Sequence, residues 1–153
     1  SPEGIEALEA REIFIRLDRA AIDQIADLCT LETYEAGDTV ISQGQYCTRI
    51  YLIADGQVAL VRAVNLGQRQ GEMMLDLLGK GRGMGWSSVL CEPCSASASA
   101  RCQKPTRFIT LEGAKLRTML EENPVIGFAV MDRLAQLVGN RLRAAYGAMD
   151  TFK

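Results

Sequence analysis

Cys91-Glu92-Pro93-Cys94 is a spacing that carries chemistry by itself. A C-x-x-C pair can ligate a metal or cycle between dithiol and disulfide. One such pair is half a zinc site, and Cys47 and Cys102 complete four thiolates only if the fold brings them together. The plainer reading, small and partly buried loop residues, is preferred. Cys29 falls on an apolar helix face and is expected in the core. The chain holds no histidine. That excludes Ser-His-Asp and Cys-His catalysis, zinc sites that need His, His-ligated haem and imidazole pH sensing. The Asp and Glu residues are scattered, and no motif places a catalytic pair, so an enzyme is not expected.

The rest of the composition narrows the partners. There are 17 basic and 19 acidic residues, for a net charge of −2, and a pI near 5.2. A domain that binds nucleic acid alone usually shows a basic stripe and a high pI. No apolar run approaches the ~18 residues of a membrane span. The opening, Ser1 to Glu12, is acidic and periodic, unlike a signal peptide. With no initiator Met, the chain is expected to be a piece of a longer protein. Five cysteines in no regular framework point to a reducing, cytoplasmic compartment. At 153 residues the chain is expected to form one domain with a real core.

Three regions must position any site. Residues 1–30 read as helical: Ile5 and Leu8, then Phe14 and Leu17, sit at helix spacing. Asp18 is a candidate N-cap for a helix carrying Ala21, Ile22, Ile25, Ala26 and Cys29. Residues 31–111 are rich in short apolar runs punctuated by glycine. Strands are expected at Thr39–Ser42, Arg49–Ala54, Gln57–Arg62, Glu72–Leu78 and Thr106–Leu111. Asp55-Gly56 between two of them predicts a hairpin. Ser95 to Ala100 alternates Ser and Ala. Residues 112–153 are helical again: Glu112 to Glu121, then Asn123-Pro124 opening a long helix. On it Met131, Leu134, Val138, Leu142, Ala145 and Met149 form one apolar stripe. The fold class is α+β and mainly β: a sandwich or barrel flanked by helices.

The order of these elements resembles the cyclic nucleotide-binding domain, the sensor half of catabolite-activator-type regulators. Tyr34-Glu35-Ala36-Gly37-Asp38-Thr39-Val40, Gln43-Gly44 and Tyr51-Leu52-Ile53-Ala54-Asp55-Gly56-Gln57-Val58 carry the likeness. So does Leu78-Gly79-Lys80-Gly81-Arg82-Gly83-Met84-Gly85, the approach to a phosphate-binding cassette at 79–98. The resemblance implies a double-stranded β-helix, a jelly-roll-like β-roll, with a long C-terminal helix. It also implies a cyclic nucleotide or other small anionic ligand, and a homodimer through that helix.

The family's cassette opens a short helix with Gly-Glu, where the Glu accepts from the ribose 2′-hydroxyl. Ten residues later an Arg pairs with the cyclic phosphate, followed by a small hydroxyl residue and Ala. Here Gly85 matches, but Trp86 stands at the Glu position and Ala96 at the Arg position, while Ser97 and Ala98 match. A charge-assisted hydrogen bond contributes about 1.5–3 kcal/mol. Losing two weakens a cyclic nucleotide by a factor of about 10² to 10⁴. Backbone N–H groups near Ser87 and Ser88 are expected to keep some anion affinity. Arg82, ahead of Lys80 and Arg101, is the preferred substitute cation, beside Gly83 in the approach loop. Trp86 reads either as a stacking platform or, preferred, as a plug in the ribose pocket. Three readings follow: a ligand sensor of altered specificity signalling through its C-terminal helix, a non-binding dimerisation module, and a thiol sensor using Cys91 and Cys94. The family's helix-turn-helix is absent from this chain, so no nucleic-acid binding is expected of it alone.

Overall fold

The computed structural model describes residues 13–14, 17–90 and 94–150, with side chains up to residue 147. Ile5, Leu8 and Cys91 therefore lie outside the described residues. Helix α1 spans Arg19–Asp27. The Asp18 carboxylate caps it by accepting the Ala21 N–H at 2.8 Å. Its inward face buries Ala21 and Ile25, and the Cys29 thiol just beyond donates to the Ile25 carbonyl.

Eight strands follow: β1 Thr30–Tyr34, β2 Thr39–Ile41, β3 Arg49–Asp55, β4 Val58–Leu66, β5 Arg69–Leu78, β6 Gly83–Met84, β7 Ser99–Cys102 and β8 Thr106–Glu112. The four-residue helix α2, Ser87–Leu90, lies between β6 and β7. The strands form two antiparallel four-stranded sheets, ordered β1-β8-β3-β6 and β2-β7-β4-β5. Helices α3, Gly113–Glu122, and α4, Pro124–Asp150, close the chain.

Period-2 alternation explains why β3 and β8 read as continuous apolar runs. Ile50 and Leu52 of β3, with Ile109 and Leu111 of β8, face a core shared with the helices. Tyr51, Ile53 and Phe108 face the opposite way, into a second core between the sheets. There Phe108 meets Tyr34 and Tyr51 edge to face at 5.5 and 5.6 Å. On the rim of the first sheet Arg49 pairs with Glu32, and Tyr34 donates to Glu32 at 3.2 Å. Desolvation, then the Glu32 charge, pushes the Tyr34 hydroxyl up to about 12.

Two expectations are corrected. Asp55-Gly56 does not close a hairpin, because β3 and β4 belong to different sheets. Gly56, at φ +120°, instead turns the chain from one sheet to the other. A Cβ there would lie 2.7 Å from the Thr106 Cα, so only glycine fits. The long hairpin is β4–β5, turning at Gly67 with φ +78°. Both its strands outrun the expected limits because their ladder continues past the edge of the core, from Val61 to Leu66 and Arg69. The Ser/Ala alternation runs into β7, with Ala100 and Cys102 inward and Ser99 and Arg101 toward the outside.

Two close approaches join the terminal helices to the roll. A Cβ on Gly113, the first residue of α3, would overlap the Ser88 hydroxyl and lie 2.6 Å from its carbonyl oxygen. A Cβ on Gly127 would overlap the Leu120 carbonyl. So α3 rests on α2, and α4 rests on α3. Helix α4 has 27 residues, about 40 Å at the α-helical rise. Val130 and Leu134 are fully buried in the helix-side core. Residues 141–147 are all exposed. The expected stripe is thereby divided. Leu134 packs on its own domain, Met131 is half-buried, and Val138, Leu142 and Ala145 are exposed. The Met149 side chain lies outside the described residues. The division follows from geometry, since the roll is shorter than the helix.

Candidate functional site

At one end of the roll, the strand β6, helix α2 and residues 96–98 surround a cavity of about 370 Å³. Gly83, Gly85, Trp86 and Ser87 form its cassette wall. Ser97 and Ala98 form the opposite lip, with Ile41, Leu60 and Ala100 of the second sheet as the floor. Cys47 and Leu90 also contribute, and Val138 and Arg141 reach in from α4. Two grooves of similar size, about 410 and 430 Å³, run along α3, and the second is lined as well by Ser88, Val89 and Leu90 of α2.

Backbone geometry explains why glycine stands on the cassette wall. Gly85 has φ +83°, and a Cβ there would overlap the Arg49 carbonyl. At Gly83 a Cβ would come within 2.8 Å of Leu52 and 3.2–3.3 Å of the Trp86 indole. Both glycines let β6 and α2 press onto β3. The lip is held by the 43–47 loop. The Gly44 N–H donates to the Ala96 carbonyl, the Ala96 N–H to Gln45, and the Cys47 N–H to the Cys94 carbonyl, at 2.7–2.9 Å.

The structure sorts the sequence-derived residues. Gly83, Gly85, Trp86, Ser87, Ser97 and Ala98 do come together. Ser88 does not line the cavity. Its side chain donates to the Gly85 carbonyl at 2.7 Å and faces α3, because one helical step turns it about 100° from Ser87. The expected N–H cradle is also largely spent. The Ser88 N–H donates to Gly85 and the Val89 N–H to Trp86, at 3.1 and 3.0 Å. Arg82 is drawn to Asp76 at 3.4 Å and is not a lining residue. Arg101 lies outside the roll on Glu72, bonded through two nitrogens at 3.1 Å each.

Trp86 is neither a simple plug nor a free platform. Its side chain is 4% exposed and packs with Ile50, Leu52 and Val89 in the helix-side core. One edge forms cavity wall, and the cavity beside it stays open. Two cations escaped the sequence reading: Arg141 at the mouth, and Arg62, which donates to the Ser97 carbonyl at 2.5 Å. The one local signal for Arg141 is its place directly before stripe residue Leu142.

The cysteines divide as well. Cys94 is disulfide-bonded, which departs from the reduced loop thiol expected and removes its thiolate from metal ligation. Cys102 is buried between the sheets, where desolvation pushes its thiol up. Among the described residues no three Cys, Asp or Glu groups gather to hold a metal. No described helix is long and apolar enough to cross a membrane.

A roll of two four-stranded sheets, a glycine-lined cassette over its open end and a long closing helix define a small-ligand-binding class of domain. The family model for the cyclic nucleotide-binding domain matches residues 31–123, and the chain belongs to that family. It is 26% identical over 122 residues to the cAMP-activated global transcriptional regulator CRP of Haemophilus influenzae, covering 80% of this chain and 53% of that protein. This chain thus spans about half the length of that relative. Among solved structures, the Thermus thermophilus catabolite activator protein matches at 30% identity and TM-score 0.75, over 92% of this chain and 62% of that one. A cyclic nucleotide-binding domain from Methylobacillus flagellatus matches at TM-score 0.82 and 20% identity, over 99% of this chain and 83% of that one, a likeness of fold.

Proposed function

We propose that this domain is a regulatory ligand sensor of altered specificity that signals through α4 as a homodimer. One observation carries the reading: the same cavity is walled by the cassette and by Val138 and Arg141 of α4. A ligand that fills it touches the helix that leaves the domain. Binding then shifts a pre-existing balance of α4 positions by its preference between them.

The α4 sequence supports the dimer. Phe128, Met131, Ala135, Val138, Leu142, Ala145 and Met149 alternate at spacings of three and four. That is the seam of a two-helix coiled coil. Phe128, Val138 and Leu142 are 74%, 46% and 52% exposed in the single chain. A two-fold partner would bury the same residues on both copies. The open cavity favours a binding module over a purely structural one. The CRP relative is a cAMP-activated regulator by name, which supports a regulatory role here with a cyclic nucleotide as one ligand class.

Coupling is testable without knowing the ligand. Ala98→Phe adds an aromatic ring inside the cavity. Hydrogen exchange of the full chain is expected to change in α4 around Val138–Leu142 as well as in the cassette. Change confined to residues 83–98 would overturn signalling through α4.

A further inference from the structure

We propose that the cavity selects a compact, largely apolar ligand bearing one anionic group, with the Arg141 guanidinium of α4 as the anion contact. The inference rests on the sensor reading above and adds the chemical class of the ligand.

The lining carries the argument. Among the described residues it contains no Asp, Glu or Lys, and Arg141 is the one formal charge they give it. Its other polar side-chain groups are the hydroxyls of Ser87 and Ser97, the thiol of Cys47 and the indole N–H of Trp86. Ile41, Leu60, Met84, Leu90 and the Trp86 edge supply an apolar interior. A ligand rich in hydroxyls would lose water here and find few acceptors in return. An apolar body gives up no hydrogen bonds to water by entering and gains the burial. At about 370 Å³ the cavity lies in the range of small-ligand sites.

The anionic group follows from where the one charge stands. Arg82 and Arg101 pair with Asp76 and Glu72 away from the cavity. Arg62 is turned to the Ser97 carbonyl. Arg141 lies at the mouth, on the helix. A guanidinium has five N–H donors in a planar fork, so it serves a carboxylate or phosphate while keeping another partner. The anion would then bridge the roll to α4 directly, placing its charge contact on the moving element and not on the cassette. Selectivity by charge and transmission to the helix become one interaction.

Three probes test this by calorimetry on the full chain: 2-naphthoate, its neutral isostere 2-naphthamide, and cyclic AMP. Saturable naphthoate binding is expected, about 10- to 100-fold tighter than naphthamide, the usual range for one charge-assisted hydrogen bond. Arg141→Gln is expected to erase that preference and leave naphthamide unchanged. Naphthoate should also slow alkylation of Cys47, read by mass spectrometry. Equal affinity for the two naphthalenes, an Arg141→Gln variant that keeps the preference, or no binding of either overturns the proposed class. So does cyclic AMP binding tighter than naphthoate and indifferent to Arg141. Each of these leaves the sensor reading standing if Ala98→Phe still alters α4 exchange; loss of that exchange response alone overturns the sensor reading.

Discussion

Trp86→Ala is expected to destabilise the domain by about 3–5 kcal/mol, the range for removing a large buried aromatic side chain. The residue stands where the family places a ribose-binding Glu, so a purely functional role would predict almost no cost. Its surroundings predict otherwise. The indole is 4% exposed and packs with Ile50, Leu52 and Val89 in the core that α3 and α4 complete. Gly83 leaves room for it, since a Cβ there would crowd the ring at 3.2–3.3 Å. Removing the ring leaves a void between β6 and β3, and Gly85, pressed on the Arg49 carbonyl, limits how far the chain can collapse to fill it. Urea unfolding followed by circular dichroism measures the effect. A loss under about 1 kcal/mol would mean that the ring is dispensable to the core. The same packing explains why the family's Glu is not simply missing. In this chain the position has become part of the core, and a carboxylate in the same place would be buried without a partner.

The second large effect concerns α4. Val138→Glu with Leu142→Glu is expected to convert a dimer to a monomer while leaving the fold intact. Both side chains are about half exposed in the single chain, so the domain itself tolerates charge there. In a two-fold seam each substitution meets its own copy. Burying such like charges costs about 3–5 kcal/mol, which raises the dimer Kd a few hundred- to a few thousand-fold. Sedimentation equilibrium reads the mass directly. Leu134→Ala is the contrast: that residue is fully buried in its own domain, so its loss should lower stability before it changes the oligomer. A wild-type chain that sediments as a monomer at 100 µM, or a double variant that stays dimeric, contradicts the seam.

These two residues also mark how far the sequence could be read. The order of elements was legible because glycine and apolar runs recorded it locally. The Asp18 cap, the start of α4 and the apolar strands β3 and β8 all follow from neighbouring residues. Pairing between distant strands left a weaker trace. Asp55-Gly56 has the composition of a hairpin turn, yet Thr106, fifty positions away, makes it a corner between sheets. The β4–β5 hairpin is long because ladder bonds continue past the core, and no burial pattern records that. In the site, Gly83, Gly85, Trp86, Ser87, Ser97 and Ala98, which adjoin in two short stretches of sequence, line one cavity. The cation proposed above as the anion contact leaves no such local trace. Arg141 enters from α4, about forty residues beyond the cassette, and its place depends on α3 resting on α2 through Gly113. Arg82 looked better placed by sequence distance, but Asp76 on the neighbouring strand claims it. By spacing the stripe is one face, but the roll covers only part of the helix and divides it into a buried half and an exposed half.

The central claim is that this family fold keeps an open cavity while its customary charged contacts are replaced by an apolar wall and a cation from α4. Titration calorimetry of the full chain with cyclic AMP tests it most directly. Loss of the two charge-assisted contacts at Trp86 and Ala96 predicts a Kd weaker than about 100 µM. A Kd of about 1 µM or tighter would contradict the account, because the residues that line this cavity could not then be what decides its ligand.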